Sequence, residues 1–404
     1  MLTFARNLKI ARRLKRLIIS LISILLSSLA ATAHPMDSVE VSLLTCSPGE
    51  EVWAHYGHTA IRWHDKRVGG NDVVINYGMF SSSEPYFALR FVFGLTDYRL
   101  DVESFDLFCA QYAYERRGVV EQVLDITNDD KLAIAKALEV NLRPENVVYR
   151  YNFFYDNCTT RARDLLVGHL HGRAVYPPAR KENDSFRDMI HEWNEKYPWS
   201  QTGEDILLGV NADRGTSKAQ QQFLPDHLRA DFACTVYNRK PLVKLTRQLL
   251  EHPKLAAESS PWPSPVTCAL LFALLAVCIF ALEYRLRKLF WGWDLLLMVL
   301  SGCVGLVLTA MVFSQHPCVS LNLLILIFNP LPLLFAWRAT RRTLRRKADG
   351  WWTLWAGLTA AGLLGGFFQH YPPAIIVVAL ILLCNSVMHL WLRPRTGGGM
   401  AREK

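Results

Sequence analysis

Five long apolar stretches in the last third of the sequence limit most strongly what this chain can fold into. They lie at about 266–284, 289–313, 319–337, 351–370 and 373–392. Each is close to the ~20 residues that an α-helix needs to cross the hydrocarbon core of a bilayer. The sequence therefore predicts five transmembrane helices within residues 266–392, followed by a tail at 393–404.

Basic residues in the loops predict the orientation of these helices. Loops rich in Lys and Arg lie on the cytoplasmic side of a membrane. Alternate loops differ sharply, with six Lys or Arg in 338–347 and three in 285–288, against none in 314–318 and 371–372. Because the tail adds four more basic residues, we expect it to be cytoplasmic and the part of the chain before the first helix to lie outside the cytoplasm.

The N-terminal end predicts the same orientation independently. Six Lys or Arg and no acidic residue occur in residues 1–33, together with the apolar run Leu17–Leu29 and the small-residue sequence Ala31-Thr32-Ala33. This is the layout of a secretory signal peptide with cleavage after Ala33, or of an N-terminal anchor that orients the chain in the same way. Either segment would export the residues that follow.

The exported segment, 34–257, has the composition of a soluble domain. With the linker to residue 265 it carries 26 Lys or Arg against 32 Asp or Glu, so the net charge of +9 arises beside the apolar stretches. This distribution argues against a nucleic-acid partner and predicts a membrane as the partner. The Pro-rich linker at 258–265 is short and semi-rigid, so we expect the domain to stay close to the outer leaflet.

Local patterns in this segment predict an α+β domain with a mainly antiparallel sheet. Helical periodicity is present at Asp129–Leu142 and at Thr159–Leu170. Alternating or β-branched runs predict strands at Val39–Leu44, Thr59–Trp63, Val73–Tyr77 and Val119–Ile126. The expected architecture is an exported α+β domain followed by an α-helical transmembrane bundle.

Cysteine and histidine spacing gives little support for a metal site. The sequence has no C-x-x-C unit and no H-E-x-x-H motif, so no zinc site and no cofactor are predicted. Four cysteines lie in the exported segment. A disulfide within one pair of Cys46, Cys109 and Cys234 is compatible with the sequence, whose spacing does not choose among them. The fourth, Cys158, has a different context.

Two segments carry a candidate nucleophile and its base. Cys158 follows Asn157 at a predicted helix start, where unpaired N–H groups and the helix dipole favour a thiolate. His58 follows Gly57 at a predicted strand start, and an imidazole within reach of the thiol would activate it for attack on an acyl carbonyl. The same N–H groups would hold the developing oxyanion. The alternative is that both residues are structural.

Several motifs carry a more specific resemblance. A strand histidine followed later by Asn-Cys at a helix start resembles the permuted arrangement of the NlpC/P60 superfamily of papain-like enzymes. The motifs Leu43–Gly49, Gly57–Arg62, Asn76-Tyr77-Gly78, Glu121–Leu124 and Tyr151–Arg161 resemble the DUF4105 family. Together with the C-terminal membrane helices, they are similar to the members of that family in Bacteroidota that are called Lnb, which are lipoprotein N-acyltransferases.

This resemblance implies roles for individual residues. Cys158 would be the nucleophile, His58 its base and Asn76 the polar residue that orients the imidazole. Tyr77 and Asn157 are carried over as substrate-binding candidates. Two arginines complete that group because guanidinium groups suit a lipid phosphate; these are Arg62 and Arg161, for which ion pairs with Asp65 or Asp164 are the alternative.

The implied activity is transfer of a fatty acyl group from a phospholipid, through a thioester on Cys158, to the N-terminal amine of an apolipoprotein. The implied location is a bacterial inner membrane, with multiple membrane crossings and the catalytic domain in the periplasm. One alternative is a membrane-anchored cysteine amidase or endopeptidase acting on peptidoglycan, against which five membrane helices argue because one anchor would suffice. The other is a non-catalytic membrane assembly protein in which Cys158 is buried.

Overall fold

The computed structural model describes residues 36–81, 85–179, 183–252 and 262–392. The predicted signal or anchor at 1–33, the first half of the linker and the tail lie outside the described residues. The chain divides into two compact units. One comprises the residues up to Trp193 and those from Gly215 to Ala257, and the other comprises Asn194–Arg214 and the residues from Glu258 onward. The predicted exported domain is thus interrupted by a segment that groups with the apolar helices.

The first unit is built on a seven-stranded antiparallel sheet. In chain order the strands are β1 Val39–Cys46, β2 His58–Asp65, β3 Asp72–Met79, β4 Asp97–Ser104, β5 Val119–Leu124, β6 Val148–Arg150, β7 Ala174–Val175, β8 Val236–Tyr237, β9 Lys240–Pro241 and β10 Val243–Leu250. The order in the large sheet is β10-β5-β1-β2-β3-β4-β6, and β7-β8-β9 form a small second sheet. The four predicted strands are confirmed as β1, β2, β3 and β5.

The helices that accompany these strands lie between β3 and β8 in the chain. They are α1 Phe87–Val92, α2 Phe105–Tyr114, α3 Asn128–Asn141, α4 Cys158–Gly168, α5 Phe186–Asn194, α6 Pro198–Leu207, α7 Lys218–Gln221 and α8 Pro225–Cys234. The two helices predicted from periodicity are confirmed as α3 and α4. Helix α3 begins with a capping box, in which Thr127 and Asp130 each bond the backbone N–H of the other.

Apolar side chains on the two faces of the sheet form two separate clusters. Val41 and Leu43 of β1 pack in the larger cluster, which includes Leu165 of α4. Leu44, the next residue along the strand, packs instead in the cluster of Phe108 from α2. Because successive side chains of a strand face opposite sides, this division shows that helices cover both faces of the sheet.

The second unit contains the apolar helices. These are α9 Pro265–Leu286, α10 Trp291–Val312, α11 Leu331–Leu344, α12 Trp351–Leu364 and α13 Pro373–Trp391. Within the described residues, four helical stretches are long and apolar enough to cross a membrane, at 265–286, 291–312, 323–344 and 373–391. The first, second and fifth predicted spans therefore agree closely with the structure.

The other two predicted spans differ from the helices found. The span predicted at 319–337 becomes α-helical only at Leu331, because Pro330 has no N–H for a helix interior and instead precedes the first turn. The span predicted at 351–370 leaves the α-helix at Leu364. Two glycines follow that residue, and glycine has a low helix propensity.

Residues 194–214 are held against loops of the helical unit by two side-chain amides. Asn322 donates to the carbonyl oxygen of Ile206 at 2.7 Å. Gln369 donates to the carbonyl oxygen of Leu208 at 3.0 Å. A buried amide that satisfies a backbone carbonyl contributes directional contacts that apolar packing does not. These bonds explain why the segment groups with the helices rather than with its neighbours in the chain.

Backbone hydrogen bonds complete this attachment. The N–H of Gly209 donates to Cys318 and that of Val210 donates to Leu321, each at 2.8 Å. The contacted residues lie at the end of the loop 314–318 and just after it, and that loop carries no Lys or Arg. Since residues 194–214 come from the segment predicted to be exported, this contact places the same end of the helices outside as the positive-inside rule does.

A buried polar cluster joins three of the apolar helices. Asp294 of α10 lies 2.8 Å from Nε2 of His389 and accepts from the amide of Asn385 at 3.1 Å. The ring of Trp352 from α12 stacks on His389, with centroids 3.6 Å apart. Polar groups inside an apolar bundle are costly unless they are paired, so this cluster favours one alignment of α10, α12 and α13.

Candidate active site

Cys158 is the first residue of α4, and Asn157 caps that helix as predicted. The side-chain oxygen of Asn157 accepts from the N–H groups of Thr159 and Thr160, each at 2.9 Å. Its amide nitrogen donates to the carbonyl oxygen of Phe223 at 2.9 Å. Both the oxygen and the nitrogen of the amide thus hold the fold together.

His58 is the first residue of β2 and forms a hydrogen bond with the Cys158 thiol. Cys46 is its partner on β1. Gly57 has a φ of 77°, and a Cβ there would lie 2.5 Å from the carbonyl oxygen of Cys46. Only glycine allows this close approach of the two backbones. The structure brings the two principal candidates, Cys158 and His58, together.

Two buried threonines connect the strand of His58 to the helix of Cys158. The side-chain oxygens of Thr59 and Thr159 lie 3.0 Å apart, and both residues are fully buried. The backbone N–H of Thr59 also donates to the Cys158 sulfur. Thr159 Oγ1 lies 3.8 Å from the same sulfur. The position of Sγ is therefore fixed from both the strand and the helix.

A bulge in β3 makes room for the thiol. The register of β3 against β4 shifts between Asn76 and Met79. Gly78, inside the bulge, has a φ of 85°. A Cβ on Gly78 would lie 3.4 Å from the Cβ of Cys158 and 3.7 Å from the ring of Tyr151. Such bulges redirect side chains beside active sites, and here one lets the helix start approach the strand.

Asn76 contacts His58 as predicted, and Glu103 contacts Asn76 in turn. Oδ1 of Asn76 lies 3.1 Å from Nε2 of His58, and its amide nitrogen donates to Oε1 of Glu103 at 2.8 Å. An ionised carboxylate only accepts hydrogen bonds, so Glu103 turns the amide oxygen toward the imidazole. Nε2 of His58 then carries the proton, which leaves Nδ1 as the nitrogen available to the thiol of Cys158. Sequence reasoning missed Glu103.

Electrostatics at the Cys158–His58 pair favour the charged forms of both residues. Burial raises the pKa of Cys158, but the charge and hydrogen bond of His58 and the N–H of Thr59 bring that pKa below its ordinary value. Burial lowers the pKa of His58, but Cys158 and the hydrogen bond with Asn76 bring it above its ordinary value. These opposite shifts stabilise a thiolate beside an imidazolium.

Arg62, expected to bind phosphate, belongs instead to a buried ion-pair network. Its guanidinium donates to Asp72 at 2.6 and 2.8 Å and to Glu121 at 3.0 Å. The group also lies over the ring of Phe105, 3.4 Å from its centroid. Asp65, the partner that the sequence suggested for Arg62, pairs with Arg67 instead. Arg62 thus connects β2 to β3 and β5 through ion pairs, the kind of role that the sequence left as the alternative to phosphate binding.

Arg161 is likewise paired within the domain. It forms a two-pronged ion pair with Asp156, at 2.5 and 2.7 Å, rather than with Asp164. Its guanidinium lies 3.4 Å from the centroid of the Tyr149 ring. Such a planar, bidentate pair suits a structural contact, and here it fixes the loop that leads into Cys158.

The structure also gives the surroundings of Tyr77 and the state of the cysteines. Tyr77 is buried in the core of the first unit, where its hydroxyl accepts from Asn141 at 2.8 Å. All nine cysteines lie among the described residues and are free. No disulfide therefore joins Cys46, Cys109 and Cys234. Burial raises the pKa of Cys46 to about 12, which makes that thiol unreactive.

Models of one protein family match both parts of the chain. A family model described as the Lnb N-terminal periplasmic domain matches residues 29–180. A second, described as the Lnb transmembrane domain, matches residues 257–396. No curated protein and no solved structure matches the sequence. The first of these matches includes Cys158, His58, Asn76 and Glu103. The chain is thus a membrane protein with an N-terminal periplasmic domain, and it belongs to the Lnb family.

Proposed function

We propose that this protein is a lipoprotein N-acyltransferase of the bacterial inner membrane, which moves a fatty acyl group from a phospholipid to the N-terminal amine of diacylglyceryl-cysteine lipoproteins. The hydrogen-bonded series Cys158, His58 and Asn76 carries this proposal. It supplies the nucleophile, the base and the orienting group that acyl transfer needs. A strand histidine that precedes the helix cysteine supports a permuted NlpC/P60-like fold.

In the first half-reaction, the thiolate of Cys158 attacks the carbonyl carbon of a phospholipid ester. A carbon–sulfur bond forms, and the carbonyl oxygen gains negative charge. The backbone N–H of Cys158 stabilises that charge, because Asn157 already occupies the N–H groups of Thr159 and Thr160. The bond to the glycerol oxygen then breaks, and the imidazolium of His58 protonates the leaving alkoxide.

In the second half-reaction, the neutral N-terminal amine of the lipoprotein attacks the thioester. A carbon–nitrogen bond forms, and the neutral imidazole of His58 accepts the proton that the amine loses. The carbon–sulfur bond breaks, which returns the thiolate of Cys158 beside the imidazolium. The cycle thus releases a lysophospholipid and an N-acylated lipoprotein.

The transmembrane domain supports transfer over hydrolysis in this scheme. Both substrates are lipids or carry lipids, so a membrane domain in the same chain confines the catalytic domain to the surface where both are present. That confinement raises the effective concentration of the amine relative to water. A soluble cysteine hydrolase has no such advantage.

The test is the fate of the acyl group on the full-length protein. The protein is first incubated with phospholipid and then mixed with a diacylated lipopeptide that has a free N-terminus. A triacylated product is expected, whereas an N-acetylated lipopeptide should give none. Cys158→Ala should abolish the product, and the matched variant Cys234→Ala should retain it, since Cys234 lies at the end of α8.

Three outcomes would contradict this function. Discharge of the thioester by water alone would make the protein a lipase. Cleavage of muropeptides with no acylation by lipid would favour the peptidoglycan amidase. Normal lipoprotein acylation in cells that carry only Cys158→Ala would indicate a non-catalytic assembly protein.

A further inference from the structure

A series of aromatic rings begins beside the thiol. The Tyr151 ring approaches Gly78 on the side where Gly78 meets Cys158. It stacks on the ring of Tyr98, with centroids 4.1 Å apart. Tyr98 in turn contacts Phe80, at 4.9 Å between centroids. Phe80 follows the bulge of β3, so the same distortion that accommodates the thiol also directs this ring.

The series continues to the surface of the periplasmic domain. Phe80 stacks on Phe87 of α1, with centroids 5.5 Å apart, and meets Trp53 edge-on at 6.1 Å. Phe87 is followed by Phe91 at 6.4 Å. Exposure rises along the way: Tyr98 is 7% exposed, Phe91 is 47% exposed and Trp53 is 65% exposed. One end of the series is therefore buried and the other is open.

We infer that this aromatic row, formed by Tyr151, Tyr98, Phe80, Phe87, Phe91 and Trp53, binds the fatty acyl chain of the phospholipid donor. The inference rests on the proposed function and names the part of the substrate that the row recognises. The carbonyl carbon must reach bonding distance of the Cys158 sulfur, so the hydrocarbon chain attached to it has to leave the site along a neighbouring surface. The row is an apolar surface that starts at that point.

Charge at the exposed end fits the phosphate of the same donor. Arg90 donates to Asp97 at 2.9 Å, and Arg150 donates to the other oxygen of that carboxylate at 2.9 Å. Two guanidinium groups thus meet at one carboxylate. Arg90 belongs to α1, which also carries Phe87 and Phe91. Guanidinium groups suit a lipid phosphate, whereas an uncharged hydrocarbon partner has no use for them.

Large exposed aromatic side chains in a group are uncommon on a soluble domain unless they contact a ligand, a partner or a membrane. The buried part of the row favours a ligand, because Tyr98 lies too deep for contact with a flat bilayer surface while Trp53 and Phe91 remain accessible. The row also has a direction, from the thiol outward, that matches a chain held by its carboxyl end.

Photolabelling tests binding independently of turnover. The probe is a phospholipid with a diazirine in one acyl chain, in nanodiscs that contain the full-length Cys158→Ala protein, which forms no thioester. A diazirine near the carboxyl end is expected to label peptides with Tyr98 and Phe80. A diazirine near the methyl end is expected to label Trp53 and Phe91. Labels confined to α9–α13 would overturn the inference, as would identical labelling by both probes, which indicates insertion into the bilayer.

Chain-length selectivity gives a second readout. Trp53→Ala and Phe91→Ala alter exposed side chains, so both proteins should fold. We expect each to slow thioester formation from a long-chain phospholipid about tenfold and to leave a four-carbon donor unaffected, since one methylene in an apolar pocket changes selectivity roughly 10- to 200-fold. Tyr114→Ala is the matched control, because Tyr114 is 90% exposed on α2, outside the row.

The outcomes separate this inference from the proposed function. Equal slowing with both donors, or no slowing with either, would overturn the acyl-chain site even if the protein transfers acyl groups. Absence of any thioester in the wild-type protein would instead contradict the proposed function, and the photolabelling of Cys158→Ala would still decide whether the row binds lipid.

Discussion

The amide nitrogen of Asn76 donates to Oε1 of Glu103 at 2.8 Å, and this bond fixes which end of the amide faces His58. With the amide reversed, its NH₂ group would face the Nε2–H of His58. The imidazole would then lose the acceptor that holds its tautomer. Glu103 is therefore a positioning residue, which acts on the imidazole through Asn76.

Replacing the Glu103 carboxylate tests this role. Glu103→Gln offers Asn76 a donor as well as an acceptor, so the amide loses its unique orientation. We expect thioester formation to slow about tenfold, or ~1.4 kcal/mol, which lies within the range for coupled neighbours. The double variant Asn76→Ala/Glu103→Gln should be no slower than Asn76→Ala alone. Additive losses in single-turnover measurements would mean that Glu103 acts independently of Asn76.

Alkylation of Cys158 should persist to unusually low pH. The pKa of Cys158 is lowered, so its thiolate survives as pH falls past the ~8.5 of a free thiol. The pKa of His58 is raised, which keeps the imidazolium charged to higher pH and widens the range of the ion pair. Iodoacetamide labelling of the Cys158 peptide, followed by mass spectrometry, measures the midpoint.

His58→Ala should move that midpoint upward. Removal of the imidazolium leaves burial as the main effect on the thiol, and burial raises its pKa. Alkylation of the exposed Cys234 in the same sample is the internal control and should not change. An unchanged midpoint for Cys158 in His58→Ala would show that the two side chains are not electrostatically coupled.

Loss of the α4 cap should affect both stability and the thiol. Asn157→Ala removes two bonds to helix N–H groups, for which the usual cost is about 1 kcal/mol in the free energy of unfolding. Thr127→Ala removes the equivalent cap of α3 and is the matched control. Both variants should lower the thermal midpoint, but only Asn157→Ala should slow alkylation of Cys158. Equal alkylation in both would indicate that the cap does not position the thiol.

Attachment of residues 194–214 to the helical unit should depend on one glycine. A Cβ on Gly209 would overlap the carbonyl oxygen of Leu321, so Gly209→Ala must displace the segment. Hydrogen exchange at Val210, which donates to Leu321, should accelerate. Gly203→Ala is the control, because a Cβ there meets nothing within 4 Å and alanine favours helix α6. Unchanged exchange in Gly209→Ala would mean that the contact is not formed.

Local elements near the site could be predicted because each has its own periodicity. Strands β2 and β3 and helix α4 carry His58, Asn76 and Cys158, and all three appeared in the sequence pattern. Strand β4 was missed although Tyr98, Leu100 and Val102 alternate with polar residues along it. The role of Glu103 on that strand is harder to foresee, because it depends on the register of two strands that pairs Glu103 with Val74.

Contacts between distant segments could not be predicted from local pattern. Residues 194–214 group with the apolar helices through backbone carbonyls and through Asn322 and Gln369, and none of these groups has a periodic signature. The partners of Arg62 could not be predicted from the sequence either. The sequence offers several carboxylates as partners for the Arg62 guanidinium. Only the order of the strands in the sheet brings Asp72 and Glu121 to it.

Intact-protein mass spectrometry tests most directly whether Cys158 carries the acyl group. After incubation with phospholipid, the full-length protein should gain the mass of one fatty acyl group, and neutral hydroxylamine should remove it. His58→Ala should form the adduct on the order of 10² to 10⁴ times more slowly. Cys234→Ala should form it normally, and Cys158→Ala should form none. An adduct that persists in Cys158→Ala, or triacylated product without any adduct on the wild-type protein, would contradict a thioester on Cys158.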